Sequence, residues 1–164
     1  MINFQIFKEC AMVTWNVTKF CCILHFGTTY VGNVTLCVGP SMVPTFDEKG
    51  DLVVVDCFSQ KILHRSYQQG DVVISVCPYD PEKTICKRIV ALPGDTVSVQ
   101  KKEYGQIRDT ITTVPRGHVW LQGDNPLNST DSRSYGSVPM GLILGRVVLK
   151  LAMPPQRIES EIAR

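Results

Sequence analysis

Two short segments of the chain contain residue types that together could carry out nucleophilic catalysis. Ser41 lies in a bend between two prolines, within the segment 39–45, which we call the nucleophile turn. Lys87 lies within the segment 85–90, whose other residues mostly suit a buried strand. A serine hydroxyl needs a base to become a nucleophile, and a lysine amine is a base only when it is neutral. Burial favours the neutral amine because it penalises the charged form, so the pair predicts a serine nucleophile activated by a lysine.

The neighbours of Lys87 on the predicted strand decide which environment its amine meets. Successive strand residues point to opposite faces of a sheet. Alternation therefore places Lys87 on one face with Ile85 and Ile89, and it places Cys86 and Arg88 on the other. Lys87 is the amine with apolar neighbours, and the opposite orientation of Cys86 argues against Cys86 as an alternative nucleophile.

A third segment, 123–136, is dense in short polar side chains and is bracketed by glycines; we call it the polar loop. It also contains an acid and a base two residues apart, Asp131 and Arg133. Each of the three segments alone has a simpler interpretation: a turn serine, a strand lysine that reaches water, and a solvated loop. Their combination is what favours catalysis.

In this order and with this spacing, the three segments resemble the conserved boxes of the type I signal peptidases, membrane-bound proteases that use a serine–lysine dyad. The nucleophile turn resembles the nucleophile box, and 69–74 resembles the strand that follows it. Residues 87–95 resemble the lysine box, and the polar loop resembles the final box. The resemblance covers about residues 20 to 150, nearly the whole chain.

Within that family, the resemblance is strongest to the mitochondrial inner membrane branch. The short length, Cys86 before the lysine, and the segments 117–121 and 128–133 favour the first-subunit type of that branch, with the second-subunit type as the alternative. The branch implies a catalytic domain in the intermembrane space, and substrates that are the presequences of imported precursor proteins. It also implies contact with the lipid bilayer and a hetero-oligomer with a second peptidase subunit.

The resemblance implies a role for each residue of the reaction centre. Ser41 would attack the scissile carbonyl, and Lys87 would take its proton and later return one to the leaving amine. The backbone N–H of Ser41 would stabilise the oxyanion. Many bacterial relatives have a serine two residues before the nucleophile as a further donor, and this chain has Gly39 there. A second donor would then come from backbone or water.

The resemblance also implies supporting roles within the polar loop. Ser129 matches the family serine that hydrogen-bonds the lysine amine and orients it. Asp131 and Arg133 match an ion pair that fixes the loop beneath the dyad. Asp124 and Asn125 are expected to hold the adjoining turn in a similar way.

The N-terminal third can be interpreted in two ways. Residues 20–38 form a mostly apolar run, close to the 20 or so residues that a helix needs to cross a bilayer. We therefore expect an N-terminal segment, 1–36, with one transmembrane anchor helix over roughly 11–33, mainly because the resembled family has one. Lys8 and Lys19 would place the N-terminal end of that helix in the matrix. The alternative is an amphipathic helix packed on the body of the protein.

Residues 37–164 are predicted to form one mostly β catalytic domain. Short β-prone runs alternate with turn signals, which is typical of a small antiparallel sandwich or partly open barrel. The resembled fold is of the same kind. The predicted strands are 52–55, 71–76, 85–91, 96–99, 110–114, 118–121 and 146–151.

Composition excludes few functions. The chain of 164 residues has a formal charge of +2, which predicts no particular affinity for nucleic acid. Its seven cysteines lack the paired spacing of a zinc site or a disulfide scaffold, and we expect most to be reduced and buried. No metal-binding or phosphate-binding motif is present in the sequence, so we expect no cofactor.

Rival functions remain open at this stage. A serine–histidine–aspartate triad would need one of His25, His64 or His118, and none lies in a recognisable catalytic setting. Self-cleaving repressors use a related dyad, but they carry a DNA-binding domain ahead of it. A catalytically inactive assembly subunit is the other alternative, and the presence of both Ser41 and Lys87 argues against it.

Overall fold

A computed structural model shows a mostly antiparallel β protein with one long N-terminal helix. It describes residues 2–27, 32–61, 65–103, 106–151 and 156–158. The helices are α1 (Ile2–Phe26), α2 (Phe58–Lys61) and α3 (Ser132–Tyr135). The strands are β1 (Gly32–Cys37), β2 (Asp51–Asp56), β3 (Val72–Cys77), β4 (Asp80–Ala91), β5 (Thr96–Glu103), β6 (Gln106–Thr113), β7 (His118–Gln122), β8 (Val138–Pro139), β9 (Ile143–Lys150) and β10 (Gln156–Arg157).

The larger sheet has the strand order β1-β2-β9-β3-β4-β7-β8, with β10 paired to β9. The pairs within it are antiparallel. β5 and β6 form a separate two-stranded sheet. The predicted mostly β, antiparallel fold class is confirmed.

Alternation along the strands divides the core between the two faces of the sheet. Val72 and Ile74 of β3 pack into one buried cluster, and Val73 between them packs into a second. Fully burying one such side chain contributes about 1.5–3 kcal/mol. The first cluster contains Met42, Phe46, Val53, Val55, Cys57, Val72, Ile74 and Val147. The second contains Val73, Ile89, Val119, Leu121, Val138 and Ile143.

The N-terminal helix differs from our expectation. It spans Ile2–Phe26 rather than 11–33, and Gly32–Cys37 is a strand paired along its length with β2. Residues 28–31 lie outside the described part of the chain. The sheet therefore begins before the boundary expected at residue 37. The apolar run 20–38 is divided between two elements, because Val34, Leu36 and Val38 alternate with smaller or polar residues in the pattern of a strand.

The expected transmembrane helix is not supported. Within the described residues, no helix combines the length and the apolar character that crossing a membrane requires. The alternative of an amphipathic helix packed on the body is not supported either, because the side chains from Lys8 to Phe26 are exposed.

The predicted strands are found, and six of the seven are longer than predicted, with the largest extensions in β4, β5 and β6. β4 begins at Asp80, five residues before the predicted start, because Cys77 and Asp80 pair directly across a tight hairpin. Pro81 falls inside this strand, where a proline is tolerated near a sheet edge. β5 and β6 continue beyond their predicted limits as a long hairpin that pairs from Thr96 and Thr113 to Glu103 and Gln106.

Candidate active site

The nucleophile turn places Ser41 in a short 3₁₀ turn, Pro40–Met42, between β1 and β2. Gly39 precedes it with φ 120° and ψ 163°, a backbone region that is essentially restricted to glycine. Met42 and Phe46 are buried in the first core cluster and anchor the turn to the sheet. The serine is thereby held at the sheet surface by two buried side chains.

Lys87 meets Ser41 from β4. The Nζ atom of Lys87 lies 2.8 Å from Oγ of Ser41 and donates a hydrogen bond to it. Lys87 is only 4% exposed, and it lies opposite Val73 in the β3–β4 register. The fold therefore brings together two residues that are 46 positions apart in the sequence.

Burial controls the basicity of this amine. Loss of hydration lowers the pKa of Lys87 below its ordinary value of 10.5, while the nearby Cys86, Asp131, Cys77 and Asp124 oppose the shift only in part. A lysine with a lowered pKa is neutral over a wider range of pH. Across the 2.8 Å contact, the neutral amine can accept the hydroxyl proton of Ser41.

The polar loop holds the nucleophile turn through its backbone. The amide N–H of Asn125 donates to the carbonyl oxygen of Ser41 at 3.0 Å. The side-chain Nδ2 of Asn125 donates to the carbonyl oxygen of Pro40, also at 3.0 Å. The expectation that Asn125 holds a turn is met, although the turn it holds is that of the nucleophile.

Gly123 permits this close approach. A Cβ atom at position 123 would lie 2.3 Å from Oγ of Ser129 and 2.5 Å from the carbonyl oxygen of Ser41. Such distances are shorter than any normal contact, so a larger residue would push the polar loop away from the turn. The role of Gly123 was not predictable from the sequence, because it depends on a contact with Ser41, 82 residues away in the chain.

Asp131 is the central hydrogen-bond acceptor of the polar loop and is fully buried. Its Oδ2 accepts hydrogen bonds from the Gly123 amide, the Ser129 hydroxyl and Nη2 of Arg133. Its Oδ1 accepts from the backbone N–H and Nε of Arg133. Burial raises the pKa of Asp131, but these hydrogen bonds outweigh burial and hold the pKa below 3.8. The carboxylate is therefore charged at neutral pH and acts as an acceptor that organises the loop.

Ser129 lies between Asp131 and the nucleophile turn. Its hydroxyl donates to Asp131 at 2.8 Å, and its side chain lies beside the Gly123 backbone. No hydrogen bond joins Ser129 to Lys87 in the part of the chain that the structure describes. Because its one proton is directed to Asp131, the Ser129 oxygen can meet the lysine amine only as an acceptor.

Arg88 makes a clamp that sequence analysis missed. It lies next to Lys87 on β4, and its Nε and Nη2 atoms donate to the two carboxylate oxygens of Asp124 at 2.8 and 2.7 Å. Its Nη1 donates to the carbonyl oxygen of Gly70, and Thr45 donates to Asp124 at 2.6 Å. The clamp thus ties β4, the nucleophile turn and the polar loop together. Only the predicted position of Arg88, opposite to Lys87 on the strand, hinted at this role.

A cavity of about 280 Å³ opens beside Ser41 and Lys87. We call it the active-site cavity. One wall is the end of β1, which pairs only with β2 among the described strands, and the other is β4 before its pairing with β7 begins at Arg88. Its lining consists of Thr35, Leu36, Cys37, Val38, Gly39, Ser41, Met42, Phe46, Ile74, Thr84, Ile85, Cys86 and Lys87.

The position of Cys86 differs from a simple reading of alternation. Ile89 packs in the second core cluster and Cys86 packs against the first, as alternation predicts. Cys86 nevertheless lines the active-site cavity together with Lys87. This edge of β4 has no neighbouring strand before Arg88 in the described residues, so the cavity contacts consecutive residues along it.

The described histidines lie outside this centre. His25 is on α1, and Nδ1 of His118 lies 3.1 Å from the carbonyl oxygen of Arg116 at the start of β7. His64 lies outside the described residues. Neither described histidine lines the active-site cavity.

Comparison with known proteins agrees with this geometry. The chain matches the family model described as signal peptidase, peptidase S26, over residues 11–105 and 100–152. It is 44% identical over 133 residues to mitochondrial inner membrane protease subunit 1 of Mus musculus, covering 81% of this chain and 77% of that protein. It is 40% identical over 135 residues to subunit 1 of Schizosaccharomyces pombe, covering 82% of this chain and 83% of that protein.

Two more distant similarities are also found. The chain is 36% identical over 124 residues to mitochondrial inner membrane protease subunit 2 of Mus musculus, covering 74% of this chain and 66% of that protein. A signal peptidase I crystal structure from Enterococcus faecalis is 23% identical, with a TM-score of 0.42, covering 50% of this chain and 97% of that chain. The expected resemblance to the first-subunit type is confirmed by the family match and the identities to subunit 1. The chain belongs to the signal peptidase family, peptidase S26, and within it groups with the subunits of the mitochondrial inner membrane proteases.

Proposed function

We propose that this protein is a serine endopeptidase in which Ser41 is the nucleophile and Lys87 is the general base. The observation that carries the proposal is the 2.8 Å contact between Oγ of Ser41 and Nζ of a lysine that is only 4% exposed. The neutral amine accepts the hydroxyl proton as Oγ attacks the peptide carbonyl. The same amine then returns a proton to the leaving nitrogen, and water hydrolyses the acyl-enzyme.

Oxyanion stabilisation comes from the nucleophile turn itself. We assign the backbone N–H of Ser41 as one donor, because it is fixed by the turn before the reaction begins. Gly39 supplies no side-chain donor, and its φ of 120° explains why a residue with a side chain would be strained there. Ser129 makes no hydrogen bond to the Lys87 amine within the described residues; its hydroxyl donates to Asp131 and supports the polar loop beside the nucleophile turn.

The substrate is an extended peptide. The active-site cavity lies between the open edge of β1 and the open edge of β4, and an extended chain can pair with such edges as an added strand. Main-chain hydrogen bonds would give affinity, and the small cavity would read alternate side chains. The scissile bond would thereby be delivered to Ser41 at the end of the cavity.

The relatives indicate where this reaction takes place. They are named as mitochondrial inner membrane protease subunits, which supports a location at that membrane. From this we infer that the substrates are presequences of precursor proteins imported into the inner membrane or the intermembrane space. We further infer that the catalytic domain faces the intermembrane space, and that it works in a hetero-oligomer with a second subunit.

The function is tested by removing the nucleophile in cells. Mass spectrometry of precursor termini compares cells that express the wild-type chain, Ser41→Ala, or the control Ser98→Ala, which changes an exposed serine of β5. Unprocessed presequences should accumulate with Ser41→Ala and not with Ser98→Ala. Normal processing with Ser41→Ala, at wild-type protein abundance, would contradict the proposal and favour an inactive assembly subunit.

The orientation has its own test. In mitochondria whose outer membrane has been opened, added protease should digest the catalytic domain. Protection of that domain would place it in the matrix and would overturn the substrate assignment, while leaving the chemistry of the dyad intact.

A further inference from the structure

Two cysteines face each other across the active-site cavity. Cys37 is the last residue of β1, four positions before Ser41, and Cys86 immediately precedes Lys87 on β4. Both line the cavity and both pack against the first core cluster, and the two thiols are close enough for each to shift the pKa of the other. Cys37 and Cys86 are both free thiols in the structure.

We propose that Cys37 and Cys86 form a redox-active dithiol, and that its oxidation to a disulfide ties β1 to β4 and closes the active-site cavity to peptides. The pair is reachable by a reagent, since each residue is only partly buried and borders an open cavity. The closing effect rests on the proposed function, because it concerns entry of the peptide substrate. The bond itself does not depend on that function.

The geometry of a disulfide conflicts with the geometry of an inserted strand. Neighbouring strands lie about 4.8 Å apart, so a peptide paired to both open edges needs β1 and β4 to be about 9.5 Å apart. Disulfide-bonded cysteines keep their Cα atoms within about 4.4–6.8 Å, with the sulfurs about 2.05 Å apart. The oxidised pair therefore leaves no room for a strand between Cys37 and Cys86.

The two thiols differ in the way that disulfide exchange requires. The neighbouring Cys86 thiol lowers the pKa of Cys37, while the Cys37 thiol and burial raise the pKa of Cys86. Cys37 is thus the attacking thiolate and Cys86 the resolving thiol. The thiolate of Cys37 attacks a disulfide oxidant such as oxidised glutathione, forming a mixed disulfide and releasing one glutathione thiolate. Cys86 then loses its proton, attacks the sulfur of Cys37 and releases the second glutathione. Two protein thiols are oxidised and one glutathione disulfide is reduced to two thiols.

The test uses the full-length chain, purified with any subunit that accompanies it. Protein that has been reduced with dithiothreitol is exposed to oxidised glutathione, and non-reducing peptide mapping by mass spectrometry identifies the bonds formed. We expect a linked peptide pair that contains Cys37 and Cys86. Cleavage of a presequence peptide should fall by about 100-fold, the scale expected from an ångström displacement in an active site, and dithiothreitol should restore it.

Variants separate this pair from the other thiols. Cys37→Ser lacks the attacking thiolate and should cleave at the same rate before and after oxidation, while the control Cys21→Ser, an exposed cysteine of α1, should lose activity like the wild type. Cys86→Ser should stop at a mixed disulfide between Cys37 and glutathione, which peptide mapping distinguishes from the internal link. Should a serine variant fail to fold, the mapping of the wild-type protein still decides whether the bond forms. Absence of the Cys37–Cys86 link after oxidation would overturn the proposal. A complete link with an unchanged cleavage rate would overturn it as well.

Failure of the proposed function would look different. If reduced wild-type protein does not cleave the peptide, the function is wrong and the mapping still tests the dithiol. Binding of a fluorescent extended peptide to reduced and oxidised protein then replaces cleavage as the readout. Tighter or equal binding in the oxidised state would contradict closure of the cavity.

Discussion

Replacing Asp131 by asparagine tests the organisation of the polar loop. The carboxylate accepts five hydrogen bonds, three at Oδ2 and two at Oδ1. Asparagine keeps the shape of the side chain but presents one oxygen and one NH₂ group. If the NH₂ group takes the place of Oδ2, three donors lose their acceptor and face another donor. If the NH₂ group takes the place of Oδ1, two donors lose their acceptor.

The expected cost follows from these contacts. At least two hydrogen bonds to a charged group are lost in either orientation, each contributing about 1.5–3 kcal/mol. Arg133 also loses its partner, but its side chain is 34% exposed, so the charge left behind stays partly hydrated. From the lost hydrogen bonds we expect the free energy of unfolding of Asp131→Asn to fall by about 3–5 kcal/mol at neutral pH.

The effect should depend on pH in a defined direction. Because the pKa of Asp131 is lower in the folded than in the unfolded protein, its carboxylate stabilises the fold fully above the unfolded pKa of about 3.9. That stabilisation is lost as the pH falls through the folded pKa, where the wild-type carboxyl becomes protonated. The difference between wild type and Asp131→Asn should therefore shrink below about pH 4.

Urea denaturation, followed by the fluorescence of the buried Trp120, measures both effects. The control is Asp80→Asn, which removes a carboxylate paired with Lys83, a lysine whose side chain is 75% exposed. We expect little change from this control because exposed ion pairs contribute little. A loss below about 1 kcal/mol for Asp131→Asn, the range of an exposed pair, or a difference that stays constant into acid, would refute the reasoning.

Three further substitutions probe the same centre. Gly123→Ala should reduce cleavage by about 100-fold, because its Cβ would collide with Ser129 and displace the nucleophile turn; the control Gly141→Ala, whose Cβ meets nothing within 4 Å, should retain activity. Arg88→Lys should lower the free energy of unfolding by about 1.5–3 kcal/mol, since an ammonium cannot make both bonds of the fork to Asp124, and an unchanged urea midpoint would argue against the clamp. Gly39→Ser should lower kcat rather than raise it, because the strain at φ 120° outweighs any gain from a hydroxyl donor; a rise in kcat would contradict this.

Much of the sheet could be predicted because β-prone runs and the turn signals between them are local properties of the sequence. The runs that became β2, β3 and β7 are short and rich in apolar β-prone residues, and their boundaries agree to within one residue at each end. β1 was not predicted as a strand, because its residues belong to the apolar run 20–38, which was expected to form part of the N-terminal segment. Val34, Leu36 and Val38 are exposed in the structure, so the apolar face of this strand points away from the core. In this segment, apolar side chains therefore do not indicate burial in the core.

The candidate site was predictable where residue type alone carries the chemistry. A serine and a lysine in suitable surroundings indicate Ser41 and Lys87, and the structure brings them into contact. Gly123 and Arg88 were not predictable in this way. The role of Gly123 depends on the space left between two segments, and that of Arg88 on three partners that only the tertiary fold assembles. Nothing in the local sequence encodes those distances.

The central claim is that Lys87 acts as a neutral amine, and the pH dependence of kcat/KM tests it most directly. The value of kcat/KM should rise with pH and reach a plateau. The midpoint of the rise should lie below 10.5, the ordinary lysine pKa, because burial lowers the pKa of Lys87. Lys87→Arg serves as the blank, since a guanidinium keeps its proton throughout this range. We expect this rising profile for the wild type and no cleavage by Lys87→Arg. Activity that peaks below about pH 6, where a carboxylate or histidine would be the base, or turnover by Lys87→Arg, would contradict it.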